Sequence, residues 1–358
     1  MPVDVRKGMP SVQLDRAEFV RRFREQFFDP AFEAVESEIA KIAEIAWKSY
    51  DGYNKNPRKQ RAGEEFSSPD FELPVEWLAA RAAILAAQRK QSDPKSPSRI
   101  LLVNGSTRSD QTCPGEISKT WRLVQMCREL IAAEAGFEVE VLDLSLLASE
   151  GQKRIYPCKA CLSTAQPLCH WPCSCYPNFA LGQVNDWMAE IYPKWVAAHG
   201  VMIVTPVNWY QAPSSLKLMI DRLVCADGGN PDPTTTKLKD PSLAKELELK
   251  GWPYPRHLAG RAFSVVVHGD ASGTENLRRI LCDWLEDIGM IACGHKSQID
   301  RYVGYYEPYA TSHEDLDKAA DFQDEVKNAA LALVEAVRLL RKGELKQPDA
   351  KLREVRPK

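Results

Sequence analysis

Four groups of residues in this 358-residue chain carry side chains suited to chemistry. The first is Asn104-Gly105-Ser106-Thr107-Arg108, followed by Ser118-Lys119-Thr120. An apolar run precedes the first group and a helix pattern follows the second. A strand that turns sharply into a helix start offers unpaired backbone N–H groups at the positive end of the helix dipole, a site for an anion such as phosphate. The hydroxyls and the guanidinium would complete it, although Ser and Thr are also ordinary helix caps. The second group, Pro206-Val207-Asn208-Trp209-Tyr210, puts two aromatic planes just after a buried strand. They suit stacking on a planar ligand, or a core or subunit interface. The third is His268-Gly269-Asp270 with Gly273, where glycines admit close backbone approach and His268 is a packing residue or a proton donor. The fourth is the set Cys158, Cys161, Cys169, Cys173 and Cys175. Thiols so clustered serve an iron–sulfur cluster, a zinc ion with His170, a redox disulfide, or remain plain thiols.

Composition narrows the field. The first loop lacks Gly-x-Gly-x-x-Gly and no Gly-Lys-Ser/Thr closes it, so neither the dinucleotide fingerprint nor a P-loop is present. A net charge of −2 gives no electrostatic case for nucleic acid or an anionic membrane. No apolar run reaches the ~20 residues of a membrane span. The first residues lack the apolar stretch of a secretion signal, so the ten cysteines are expected in a reducing cytoplasm.

The elements that must position these groups alternate. Strand patterns cover Ile100–Val103, Phe137–Asp143, Gly200–Thr205 and Arg261–His268, with short candidates at Met290–Ala292 and Gln298–Val303. Helical patterns cover Ile117–Ala135, Val184–Ala198, Ser214–Val224, Thr274–Ile288 and Glu314–Leu340. Such alternation predicts a doubly wound parallel sheet whose ligands sit beyond the carboxyl ends of the strands. The first three groups all follow strands and fall on that one rim. Residues 1–98 read as a helical extension and linker, a packing arm or dimerisation element, with 51–70 as a loop. Residues 99–342 form the α/β domain. It carries a cysteine-rich loop at 151–182 and an insertion at 227–257 that reads as a lid or interface loop. Residues 343–358 are a charged tail.

These motifs resemble the NADPH-dependent FMN reductase branch of the flavodoxin-like superfamily. Gly105–Arg108 with Ser118–Thr120 is similar to its FMN phosphate loop. Thr205-Pro-Val-Asn-Trp-Tyr-Gln-Ala-Pro-Ser-Ser-Leu-Lys-Leu-Met-Ile-Asp-Arg222 is similar to its Pro-Val-Tyr-Trp…Leu-Lys…Asp-Arg signature, and His268–Gly273 to its third loop. The resemblance spans about residues 99–303. It implies a five-stranded flavodoxin-like sheet in the order 2-1-3-4-5, with noncovalent FMN held by its phosphate on the first loop and by its ring between the other two. It further implies a homodimer or homotetramer that passes hydride from NAD(P)H through FMN to a small acceptor: a quinone, a flavin, an azo or nitro compound, or a metal ion. No side-chain acid or base is required, so no catalytic residue is assigned. The wide gap between Arg108 and Ser118 leaves open which of Ser109, Thr112, Ser118 and Thr120 meets the phosphate. The cysteine segment resembles the Cys-x-x-Cys-x-x-Cys…Cys run of iron–sulfur flavoproteins in the same superfamily, although Thr164 stands where the third cysteine would be. That resemblance implies the alternative of an FMN and [4Fe–4S] electron carrier, with Cys173 or Cys175 substituting.

Overall fold

The computed structural model describes residues 13–112 and 116–345. The chain opens with α1 (Arg16–Arg24) and α2 (Glu36–Asp51), which share an aromatic contact: the Phe19 ring lies 4.7 Å from Tyr50 and 5.5 Å from Trp47. The polar stretch expected as a loop instead contributes β1 (Lys59–Arg61), which pairs antiparallel with β2 (Glu72–Pro74). Its side chains are exposed, so no alternation of apolar residues marked it. Next comes α3 (Val75–Ser92), whose Ile84 and Ala87 are buried in the same apolar cluster as Leu101, Val103 and Trp195. The expected boundary at residue 98 therefore cuts through a shared core. His199 pins the junction: its Nδ1 accepts the Arg99 N–H at 2.9 Å and its Nε2 bonds the Gln91 carbonyl at 2.9 Å.

The main sheet is built from β3 (Ser98–Asn104), β4 (Phe137–Asp143), β5 (Gly200–Pro206), β6 (Ala262–Gly269), β7 (Ile291–Ala292) and β8 (Gln298–Tyr302). All its pairings are parallel, in the order β4-β3-β5-β6, with β7 and β8 both beside β6. The fifth position is thus split: β7 pairs with Ala262–Phe263 and β8 with Val265–Gly269. Strands β3, β5 and β6 are nearly continuous runs of buried residues, as a sheet covered on both faces requires. On one face lie α3, α5 (Met188–Ala197), α6 (Ser214–Arg222) and α8 (Thr274–Asp287), with α7 (Pro241–Leu249) outside the sheet layers in the 227–257 insertion. On the other lie α4 (Lys119–Ala132) and α9 (Ala320–Lys342).

Two further expectations change. The helix expected over Glu314–Leu340 breaks at Ala319 into Glu314–Lys318 and α9. The 227–257 insertion is packed down rather than standing over the site. Gln166 Nε2 donates to the Asp227 carbonyl at 2.7 Å, and the Ser67 N–H donates to Asp232 Oδ2 at 2.8 Å. Among the described residues no helix is long and apolar enough to cross a membrane. The charged tail lies almost wholly outside the described residues.

Candidate functional site

A cavity of about 280 Å³ opens at the carboxyl ends of β3, β5 and β6. Ser106, Thr107, Arg108, Ser118, Lys119 and Thr120 line it from one side, and Pro206, Val207, Asn208, His268, Gly269 and Asp270 from the other. The three loops expected on one rim do converge. Tyr309, Ser312 and His313 close the remaining wall, and these the sequence reading had not singled out.

Asn104 shapes the first loop. It is fully buried, and its Nδ2 donates to Asp143 Oδ1 at 2.7 Å and to the Arg108 carbonyl at 3.3 Å, while its Oδ1 accepts the Ser106 N–H at 3.2 Å. Gly105 is required by packing: a Cβ there would stand 2.7 Å from Thr205 Cβ. Ser118 caps α4, with Oγ accepting the Trp121 N–H at 3.1 Å and donating to the Arg108 carbonyl at 3.1 Å. The Thr112 hydroxyl accepts the Ser109 N–H at 2.8 Å, and neither residue lines the cavity. Of the alternatives for an anion ligand, then, Ser109 and Thr112 serve the loop, Ser118 serves the cap, and Thr120 Oγ1 bonds His268 Nε2 at 2.8 Å. The Arg108 guanidinium is different. Its Nε is buried with no hydrogen-bond partner among the described residues, and its Nη2 donates to the Glu116 carbonyl at 3.5 Å. A buried guanidinium nitrogen without a partner, beside a helix N-terminus, fits an anionic group such as the FMN phosphate.

Lys119 is tied to distant segments of the chain. It lines the cavity, yet its buried ammonium donates to the Val303 carbonyl (3.1 Å), Ser312 Oγ (3.4 Å) and Asp270 Oδ2 (3.4 Å). These bonds hold the segment after β8 and the third loop against α4. His268 is buried, and burial together with the Lys119 charge pushes its pKa down to about 3. It is neutral at physiological pH and is no general acid there. Its Nδ1 has no partner among the described residues.

Trp209, Tyr210 and Gly273 do not line the cavity, although Gly273 packs against Val207, which does. Asn208 and Gln211 exchange N–H···O bonds of 2.9 Å across a two-residue turn, with Trp209 at φ +49° and Tyr210 at +65°. Asn-Gly usually fills such a turn, and each non-glycine residue held there costs about 1–3 kcal/mol. Trp209 is nonetheless 95% exposed and Tyr210 61%. At Gly273 (φ +115°) a Cβ would lie 3.0 Å from Tyr210 Cα, so the second and third loops touch only because that residue is glycine. The Tyr302, Tyr305 and Tyr306 rings follow in contact at 4.5 and 4.3 Å, and Tyr306 and Tyr309 are exposed. The density of tyrosines at 302–309 was the available signal for this wall.

The cysteine loop forms a separate centre. Arg222, the last residue of the second motif, is buried and anchors it. Its guanidinium donates to Asp186 (2.5 and 3.0 Å) and to the Tyr156 carbonyl (2.8 Å). His170 bonds both ring nitrogens, to Ser174 Oγ (2.6 Å) and Thr236 Oγ1 (3.0 Å). Cys169 is buried and Cys158 half-buried, and burial raises both thiols. Cys161 and Cys175 have their sulfurs 3.2 Å apart, Cys173 Sγ accepts the Cys175 N–H at 3.5 Å, and the Lys239 ammonium lies 3.3 Å from Cys161 Sγ. The Cys175 hydrogen bond and the Lys239 charge lower the Cys161 thiol, and the Cys175 hydrogen bond and Arg222 lower Cys173. Hydrogen bonding with Cys161 and Cys173, together with burial, raises Cys175. Among the described residues no group of three or more His, Cys, Asp and Glu side chains is arranged to hold a metal ion. The Lys239 ammonium flanks the thiol pair.

Comparison with known proteins agrees with the flavin reading. The profile of the family described as NADPH-dependent FMN reductase matches residues 98–302. An iron–sulfur flavoprotein of Methanosarcina thermophila is 29% identical over 199 residues, covering 56% of this chain and 78% of that protein. A crystal structure of RosB with a bound 8-demethyl-8-formylriboflavin-5'-phosphate intermediate is 15% identical. It covers 69% of this chain and 82% of RosB, with a TM-score of 0.47. The apo form of an NADH:FMN oxidoreductase, EMOB, is 13% identical, with coverage of 71% and 94% and a TM-score of 0.36.

Proposed function

The chain belongs to the NADPH-dependent FMN reductase family and is an FMN-dependent oxidoreductase; on that premise we propose that it takes hydride from NAD(P)H and reduces a small planar acceptor, a quinone, flavin, azo or nitro compound, at the rim of the strand-end cavity. The observation that carries the site assignment is the unpartnered Arg108 guanidinium nitrogen in that cavity. Thr107, Arg108 and the backbone amides at the start of α4 hold the phosphate, and Pro206–Asn208 and His268–Asp270 flank the ring. Bound FMN supplies the hydride and electron chemistry. The protein positions it: Asn104 fixes the phosphate loop, Lys119 fixes the far wall, and neutral His268 adds no charge beside the ring. Trp209, Tyr210, Tyr306 and Tyr309 offer exposed aromatic faces for the acceptor, and the same rim suits a second copy of the chain in a homo-oligomer.

The test is an absorption spectrum and flavin assay on the purified chain, with iron and acid-labile sulfide measured alongside. The reading expects FMN that bleaches anaerobically on adding NADPH or NADH and is reoxidised by a quinone. A protein that neither carries nor binds FMN ends this proposal. Stoichiometric iron and sulfide would instead establish an iron–sulfur flavoprotein, the name its Methanosarcina relative carries.

A further inference from the structure

The cysteine loop holds a sulfur pair that the flavin site does not use. Cys161 begins a short turn, Cys161–Ser163, and Cys175 returns to it from 14 residues along the chain, bringing the two sulfurs to 3.2 Å. A disulfide bond is about 2.05 Å long, so sulfur movement of roughly 1 Å joins them. The two differ in access: Cys161 is partly exposed, whereas Cys175 is buried. Lys239, from the packed insertion, is fixed by a 3.1 Å bond to the Leu168 carbonyl and points its ammonium at Cys161 Sγ (3.3 Å) and Cys175 Sγ (3.8 Å). Lys55 adds a second cation, held on the Ser174 carbonyl at 2.8 Å, and Arg222 acts on Cys173 from the other side. A thiol in hydrogen-bond contact with a second thiol and with an ammonium is arranged to be a thiolate.

We propose that Cys161 and Cys175 are a redox dithiol, positioned by Lys239, that exchanges with small disulfides of the glutathione type. The Cys161 thiolate attacks one sulfur of the small disulfide. That S–S bond breaks, the new Cys161–S bond forms, and one small thiolate leaves and is protonated. Cys175 then gives up its proton and attacks Cys161 Sγ, releasing the second small thiolate, which takes a proton. Two protein thiols are oxidised to one disulfide, and one small disulfide is reduced to two thiols. The inference goes beyond the flavin reading and does not depend on it.

The test uses the full chain, reduced and then equilibrated anaerobically across a series of reduced and oxidised glutathione ratios. Acid quenching, alkylation and intact mass count the free thiols. Trypsin cuts after Lys159 and chymotrypsin after Leu162, so peptide fragmentation identifies the linked sulfurs. The expected result is one reversible bridge between Cys161 and Cys175. It should be lost in Cys161→Ser and retained in Cys158→Ser. In Lys239→Met, the pH midpoint for Cys161 alkylation should rise by one unit or more. No bridge at the most oxidising ratio, a bridge between any other pair, or a midpoint indifferent to Lys239→Met overturns the proposal. So does stoichiometric iron or zinc that shields these thiols. The wild-type peptide map decides the pairing even where a variant fails to fold.

Discussion

Arg108→Ala separates cofactor binding from folding. In the structure the guanidinium does little for the protein itself: Nε is unpartnered among the described residues and the Glu116 carbonyl is 3.5 Å away. Its loss should change the unfolding free energy by less than about 0.5 kcal/mol, as for a side chain without structural contacts. A charge-assisted hydrogen bond to phosphate is worth about 1.5–3 kcal/mol, so FMN affinity should fall by roughly 10- to 150-fold. The assay is flavin fluorescence titration of the deflavinated protein, with riboflavin as the control ligand. Riboflavin lacks the phosphate, so its affinity should be the same in wild type and variant. Arg108→Lys should recover part of the FMN affinity, because the charge remains while the bidentate fork is lost. An FMN affinity within threefold of wild type, or an equal loss for riboflavin, refutes the phosphate assignment.

Three further outcomes follow from the same geometry. Asn104→Ala strands the Ser106 N–H and removes one of two donors to Asp143 Oδ1, which keeps the Ser145 N–H, and should cost about 1–3 kcal/mol in urea unfolding while also weakening FMN; a loss on the scale of a surface substitution would show that Asn104 does not organise the loop. His268 has a folded pKa of about 3, below the unfolded value of about 6.5, so the unfolded chain takes up that proton first as pH falls. The penalty is absent above about pH 6.5 and grows as pH drops from 6.5 toward 3. His268→Gln should therefore flatten the acid side of a stability–pH curve, and an unchanged slope would mean that His268 is not the buried neutral group described. Trp209→Gly removes a tryptophan from a left-handed backbone position and should raise unfolding stability by about 1 kcal/mol while slowing acceptor turnover; a destabilised Trp209→Gly chain would show that the indole is packed in the working protein.

The local chemistry of this protein is written in its sequence. The apolar runs at 100–103, 200–205 and 261–268 can only be strands covered on both faces, and Ser118 before α4 is a cap by type and place. Once the strands are parallel, the residues following them must share a rim, so the three loops were legible before any coordinate. Other features were decided by how distant segments meet. Lys119 looks like a phosphate ligand from its neighbours, yet its ammonium is claimed by a carbonyl 184 residues away. Lys239 reaches a cysteine 78 residues earlier and sets an ammonium beside its sulfur. Helix α3 reads as part of an arm, yet its Ile84 and Ala87 complete the sheet's own core. Periodicity and turn chemistry report which face of a segment avoids water and where its backbone bonds close. The partner of a long flexible ammonium, or of a helix face, is set by the packing of the whole chain, where desolvation penalises every charge left without a nearby opposite.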